Sequence, residues 1–210
     1  MFFYFAMAMI ISYLLGSLSF SIIISKNFSQ KKDIRSLGSN NAGFSNMLRS
    51  LGFFPAMFTF IGDFIKGIIA IYISSIIFEN FDVFTKNRIF FLTFSCFFCC
   101  LGHMWPCFFK FKGGKGILTA WACNFFIDFK ISLVLILIFL IVLALSKIIS
   151  LSSICATVSY PILVFIFEKN TCQYAFLIAL ILSLLIIFKH RTNIQRLIKN
   201  EEKTIKINKK

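Results

Sequence analysis

The chain has 210 residues, 59% of them hydrophobic and 14% charged, with a formal net charge of +14 and a mean hydropathy of +0.87. Soluble domains run about half apolar and a quarter charged, and a chain this short could not bury so much apolar surface in its own core. The composition excludes an ordinary soluble enzyme and predicts a single all-α, polytopic bundle with the bilayer as its solvent.

In chain order, apolar segments of spanning length fall at 2–24, 53–78, 89–109, 151–167 and 173–188. The first carries no charge before Lys26, so it lacks the basic n-region of a secretory signal and reads as a retained span with its N-terminus outside. A longer apolar region, 117–146, is broken at Asp128, Phe129 and Lys130, which predicts two short spans, 117–128 and 131–146. The count is then seven, or five if that pair is a re-entrant hairpin. In this threading seventeen Lys and Arg fall on the cytoplasmic side against four outside, a strong positive-inside bias. Residues 1–200 form one membrane domain, and 201–210 read as a basic cytoplasmic tail drawn to anionic headgroups. The seven cysteines lie mostly within apolar stretches and read as small apolar fillers, with only Cys172 near an external loop. Neither a metal nor a cofactor is expected, and nothing suggests nucleic-acid binding.

Three polar clusters all face the cytoplasm in this topology. The first, Gly38 to Arg49, packs Ser39, Asn41, Gly43, Ser45 and Asn46 before an arginine whose planar fork suits phosphate. The second, Lys110 to Thr119, holds Gly113, Gly114, Lys115 and Gly116 just before a helix. It is not a Walker A loop, because Gly116 stands where Ser or Thr is required. Its glycines are expected to expose backbone N–H groups to an anion. The third, Lys189 to Leu197, closes the last span; His190 and Asn193 share a helical face, and Arg196 follows. Asp63 and Lys66 lie inside a span, where ionisable residues are costly and need a partner; their i, i+3 spacing predicts that they pair. Ser150 and Ser153 precede another span.

Together these clusters resemble the bacterial membrane glycerol-3-phosphate acyltransferases that use acyl phosphate as donor. The family's S-G-N-x-G-A-[ST]-N-x-x-R aligns with Ser39 to Arg49. Its G-H-x-x-P-x-[FL]-x-x-F-K-G-G-K-G-x-x-T aligns with Gly102 to Thr119, and its H-R-x-N-I-x-R-L with His190 to Leu197. D-x-x-K-G matches Asp63, Lys66 and Gly67. Asn40 replaces a family Gly and Phe44 a family Ala, which puts the local loop shape in question.

The resemblance implies transfer of a fatty acyl group from acyl phosphate to the sn-1 hydroxyl of glycerol 3-phosphate. The products would be lysophosphatidic acid and phosphate, in the first acylation of phospholipid synthesis at the bacterial inner membrane. It also implies a functional link to the enzyme that makes acyl phosphate from acyl carrier protein. His190, Asn193, Lys115 and Arg49 are the expected catalytic residues. Substrate would be held by Ser39, Asn41, Gly43, Ser45, Asn46, Arg49, Lys110, Gly113, Gly114, Lys115, Gly116, Thr119, Ser153, His190 and Arg196. Asp63, Lys66 and His103 would support them. The proton acceptor stays open among His103, His190, Asp63 and the donor's own phosphate. The H-x-x-x-x-D pair of soluble acyltransferases is absent, since Phe108 and Gln195 stand five residues after the two histidines. A transporter for an organic phosphate is the rival reading; it would favour inverted repeats, and none is visible.

Overall fold

The structure is a computed structural model that describes residues 2–29, 32–79, 81–168 and 173–204. Its helices are α1 (Phe2–Gly16), α2 (Phe20–Phe28), α3 (Phe44–Leu51), α4 (Phe53–Phe78), α5 (Asp82–Met104), α6 (Ile117–Ile127), α7 (Phe129–Ser146), α8 (Ile149–Phe167), α9 (Gln173–Lys189) and α10 (Arg191–Ile198). No strand occurs among the described residues. Cys172, Lys169 and the end of the tail from residue 205 lie outside them.

Five segments are long and apolar enough to cross a membrane: Phe2–Phe28, Phe53–Phe78, Asn87–Phe109, Phe129–Ser146 and Ile149–Phe167. The pair of α9 and α10, bent by 60°, adds a sixth. The expected break at Asp128 is present and has a local cause. Its carboxylate accepts from the N–H groups of Lys130 (2.7 Å) and Ile131 (3.0 Å) and so caps α7. The preceding α6 has 11 residues, a length of about 16 Å, half the ~30 Å hydrocarbon thickness. It is too short for a full crossing, so the seven expected spans give way to six, or to five if the bent pair is not one span.

The first span, expected to be continuous, is broken at residues 17–19. The break exposes the Leu18 carbonyl, which accepts from Lys66 Nζ at 2.6 Å. α1 lies against α5 at Gly16 and Gly102. A Cβ on Gly16 would stand 2.0 Å from the Cys99 carbonyl oxygen, and one on Gly102 2.1 Å from that of Tyr13. Small residues thus set a backbone-to-backbone approach that dispersion rewards where lipid offers no hydrophobic drive. Below this crossing Phe5, Phe78, Phe84 and Phe91 pack as a ring cluster, with Phe78 and Phe91 centroids 4.9 Å apart.

Contacts run from α4 to α6, then to α7, α8 and α9, and back through α5 to α4. The helices therefore close a ring, and the cavity described next lies within it. Outward stripes such as Ile65, Ile69, Tyr72 and Ile76 on α4 are exposed, as expected of a lipid-facing helix surface. Cys96, Cys99, Cys100 and Cys123 are buried free thiols in the core.

Candidate active site

The first loop is organised by Asn46, which is 1% exposed. Its amide donates to the carbonyls of Ile34 (3.1 Å), Leu37 (2.9 Å) and Asn41 (3.0 Å), and its carbonyl accepts from Ser39 N–H (2.9 Å). Asn46, expected to touch substrate, thus has its amide and its carbonyl engaged in shaping the loop. Asn40 takes φ +56°, the left-handed region that asparagine tolerates better than most residues, so its exchange for the family glycine preserves the turn. Phe44 opens α3 and sets its ring 5.8 Å from that of Phe60. The N–H groups of Phe44 and Ser45 have no partner among the described residues, whereas those of Asn46 and Met47 bond Gly43. Arg49 donates through Nε to the Ser45 carbonyl at 3.1 Å, and the outer edge of its guanidinium has no partner among the described residues.

In the second loop the glycines do something other than expected. Gly113 N–H bonds the Met104 carbonyl at 3.3 Å and Gly114 N–H that of His103 at 3.1 Å. Neither is free to cradle an anion. Their need for glycine is steric: a Cβ on Gly113 would sit 2.1 Å from the His103 oxygen, and one on Gly114 2.1 Å from His103 Nε2. Gly116, at φ +89°, caps α6, and the N–H groups of Lys115, Gly116 and Ile117 are unpartnered among the described residues. Only the last few residues of this motif therefore keep N–H groups available. Lys110 is exposed and lines a separate depression with Asp33, Arg35 and Lys112. Arg35 ties this loop down by donating to the carbonyls of Phe109 (2.7 Å) and Lys112 (3.0 Å).

Lys115 Nζ donates to Asn193 Oδ1 at 2.5 Å. Burial lowers its pKa to about 8, with Arg196, Arg49 and Lys189 adding to the fall and Glu202 opposing it. Asn193 Nδ2 in turn donates to Glu202 (2.8 Å), as do Ser150 Oγ (2.9 Å) and Arg196 Nε (2.6 Å). Burial would raise the Glu202 pKa, but these donors outweigh it and hold the carboxyl below its usual range. His190 is 2% exposed, and its Nδ1 lies 2.9 Å from the Ile186 carbonyl. A carbonyl can only accept, so Nδ1 carries the proton and Nε2 keeps its lone pair.

Asp63 and Lys66 pair as expected, at 2.7 Å, both 2% exposed. Lys66 Nζ also lies 2.9 Å from His103 Nδ1, so that nitrogen accepts and Nε2 bears the proton, directed at Gly114. His103 therefore braces the second loop against the α4 ion pair, and its Nδ1 lone pair is already taken.

These elements meet in one cavity of about 210 Å³. Of the residues singled out in the sequence, it is lined by Ser39, Asn41, Gly43, Phe44, Ser45, Asn46, Arg49, Asp63, His103, Lys115, Gly116, Ser150, Ser153, His190 and Asn193. Lys66, Lys110, Gly113, Gly114, Thr119 and Arg196 are outside its lining. Thr119 is fully buried and its hydroxyl has no partner among the described residues, and the Arg196 guanidinium is engaged by Glu202. The sequence reading missed Glu202, assigned to the tail, and the cavity-lining Asn124, Tyr160 and Ser183. No local pattern marks any of them; only the helix ring brings them together. The N-terminal turns of α3 and α6 both open on the cavity, each presenting N–H groups and a positive dipole end. Arg49 and Lys115 add two cations, and walls of Leu135, Ile136, Phe139 and Ile186 are apolar. The fold and site define an integral membrane protein whose cavity sets two helix N-termini and two cations beside apolar walls.

Comparison with known proteins places that class more narrowly. The glycerol-3-phosphate acyltransferase family matches residues 6–200. A glycerol-3-phosphate acyltransferase of Prochlorococcus marinus subsp. pastoris is 41% identical over 198 residues, covering 94% of each chain. That of Thermoanaerobacter pseudethanolicus is 38% identical over 199 residues, covering 95% of this chain and 94% of its own. Crystal structures of PlsY, an integral membrane glycerol 3-phosphate acyltransferase, superpose on 96% of this chain and 95% of theirs. The glycerol 3-phosphate form has a TM-score of 0.85 at 34% identity, and the lysophosphatidic acid form 0.81 at 33%. The chain belongs to the glycerol-3-phosphate acyltransferase family and is an integral membrane acyltransferase.

Proposed function

We propose that this protein transfers a fatty acyl group from acyl phosphate to the sn-1 hydroxyl of glycerol 3-phosphate, releasing lysophosphatidic acid and inorganic phosphate. The reaction is the first acylation of phospholipid synthesis, run at the cytoplasmic face of the inner membrane and supplied by the enzyme that forms acyl phosphate from acyl carrier protein. The observation that carries this reading is the convergence of two helix N-termini, Arg49 and Lys115 on a single cavity with an apolar extension. Two phosphates repel each other, and paired dipole ends with separate cations offset that repulsion.

In the reaction the sn-1 oxygen attacks the acyl carbonyl carbon. The tetrahedral adduct collapses by breaking the bond between that carbon and the bridging phosphate oxygen, and the hydroxyl proton leaves on the departing phosphate. The donor is already an activated anhydride, so positioning and charge stabilisation provide the acceleration without a covalent enzyme intermediate. His190 Nε2 can accept a hydrogen bond from a glycerol hydroxyl, which orients the acceptor. Lys115, held by Asn193, faces the charge that develops on phosphate. The test is lysophosphatidic acid formation by purified protein given acyl phosphate, acyl-CoA or acyl carrier protein donors at matched concentration. Product from acyl phosphate alone, lost in Arg49→Ala and Lys115→Ala, is the expected result. No product from any donor with folded protein in lipid would overturn the reading and leave organic-phosphate transport to be tested by proteoliposome uptake.

A further inference from the structure

The apolar segment that carries α5 ends at Phe109, so the residues beside that end lie where the hydrocarbon gives way to headgroups. There Phe108 (58% exposed), Lys110, Phe111 (59% exposed) and Lys112 all present their side chains outward. Lys110 and Phe111 take φ of 57° and 55°, left-handed values that residues with a Cβ disfavour. Such conformations persist only where the surroundings hold them, and they cluster at ligand sites. Arg35 does the holding: it donates to the carbonyls on either side of the pair, Phe109 at 2.7 Å and Lys112 at 3.0 Å. Phe111 N–H adds a bond to the Pro106 carbonyl at 3.0 Å. The Arg35 charge is matched by Asp33 at 2.7 Å, and Asp33 is the one carboxylate that lines the adjoining depression among the described residues. The Lys110 and Lys112 ammonium groups line the same depression, and among the described residues neither has a hydrogen-bond or ion-pair partner. Asn40 of the first loop and Gly113 of the second complete the walls. The depression is separate from the catalytic cavity, which neither lysine lines.

We infer that this depression binds the headgroup of an anionic phospholipid. The Lys110 and Lys112 ammonium groups meet its phosphate, and the Phe108 and Phe111 rings enter the top of the surrounding acyl chains. Aromatic rings and lysines at the end of a span are membrane-interface anchors, and lysine stems let the charge reach the headgroup level. Two ammonium groups without a carboxylate partner select net negative charge; the cation of a choline headgroup would be repelled by them. A soluble acidic protein would account for the lysines but not for two phenylalanines held outward at lipid depth. A headgroup seated here touches both loops, the first leading to Arg49 and the second to Lys115. The inference stands whether or not the proposed acyl transfer does, because it concerns a site outside the catalytic cavity.

The experiment titrates the full chain in detergent with phosphatidylglycerol or phosphatidylcholine of the same acyl chains and counts bound lipids by native mass spectrometry. Wild type should hold one phosphatidylglycerol about tenfold or more tighter than phosphatidylcholine. Lys110→Gln/Lys112→Gln should abolish that preference. Phe108→Ser/Phe111→Ser, which keeps both charges, should weaken both lipids about threefold or more. Lys26→Gln/Lys147→Gln removes the same charge from other exposed positions and should leave the preference in place. Melting of wild type should rise with phosphatidylglycerol and not with phosphatidylcholine, a readout that needs no variant to fold. Equal affinity for the two lipids in wild type, or a preference that survives in Lys110→Gln/Lys112→Gln, would overturn the site. An equal loss in the Lys26/Lys147 variant would assign the effect to net charge and overturn it too. So would displacement of the lipid by equimolar inorganic phosphate, which would make the ligand free phosphate, or lysine-dependent binding of an acidic carrier protein with lipid binding unaltered in the lysine variant.

Discussion

Gly113→Ala and Gly114→Ala separate two explanations for glycines beside a phosphate site. If they are there to bare N–H groups, alanine keeps those donors and weakens substrate binding only by reshaping the loop. The structure says instead that both N–H groups are bonded to Met104 and His103 carbonyls, and that a Cβ has no room. On Gly113 it would lie 2.1 Å from the His103 carbonyl oxygen and 2.6 Å from Pro106 Cδ; on Gly114, 2.1 Å from His103 Nε2 and 2.5 Å from the Ala42 oxygen. Relief requires the loop to move by about 1 Å against a buried histidine pinned by Lys66, and overpacking of this kind costs about 1–3 kcal/mol. Thermal unfolding in detergent should show both variants melting several degrees below wild type, with kcat reduced because Lys115 is carried out of register. Unchanged melting with a rise in KM alone would refute the steric argument and restore the anion-cradle reading.

Lys115, with a pKa of about 8 set mainly by burial, should be protonated to bind a phosphate dianion. The KM for glycerol 3-phosphate is then flat below that pH and climbs toward tenfold per unit above it; Lys115→Arg, which stays charged, should abolish the climb in a pH-rate series. Lys66→Ala strands Asp63 and the Leu18 carbonyl inside the bundle, and removing one partner of a buried pair costs about 3–5 kcal/mol. Chemical unfolding should detect a large loss, partly recovered in Lys66→Met/Asp63→Asn, and wild-type stability in Lys66→Ala would refute the bracing role. His190→Ala should raise KM for glycerol 3-phosphate more than it lowers kcat, because Nε2 orients the acceptor; a loss confined to kcat in steady-state kinetics would instead make His190 the base.

The sequence by itself determined the solvent, the helical class and the rim of the site. Charge-poor runs of spanning length admit only helices in lipid, because every backbone polar group must be satisfied within its own segment. Asp128 marked the break before α7, and Asp63 announced its need for Lys66, since both effects act within one helical turn. Arg49, Lys115, His190 and Asn193 stood out because polar residues in so apolar a chain are conspicuous. The tertiary structure alone decided which of the motif residues face the cavity. Gly113 and Gly114 have the composition of an anion loop, yet their neighbour across the loop, His103, makes them spacers. Lys110 and Lys115 look equivalent in sequence, but a left-handed turn at Lys110 and Phe111 sends one away and leaves the other beside Asn193. Glu202 reads as part of a solvated tail until α10 returns it to Ser150, Asn193 and Arg196. Tyr160 and Ser183 are hydroxyl residues in largely apolar helices, with nothing local to distinguish a structural hydroxyl from one at a binding site. Their meaning depends on contacts between helices distant in the chain, which no local pattern encodes.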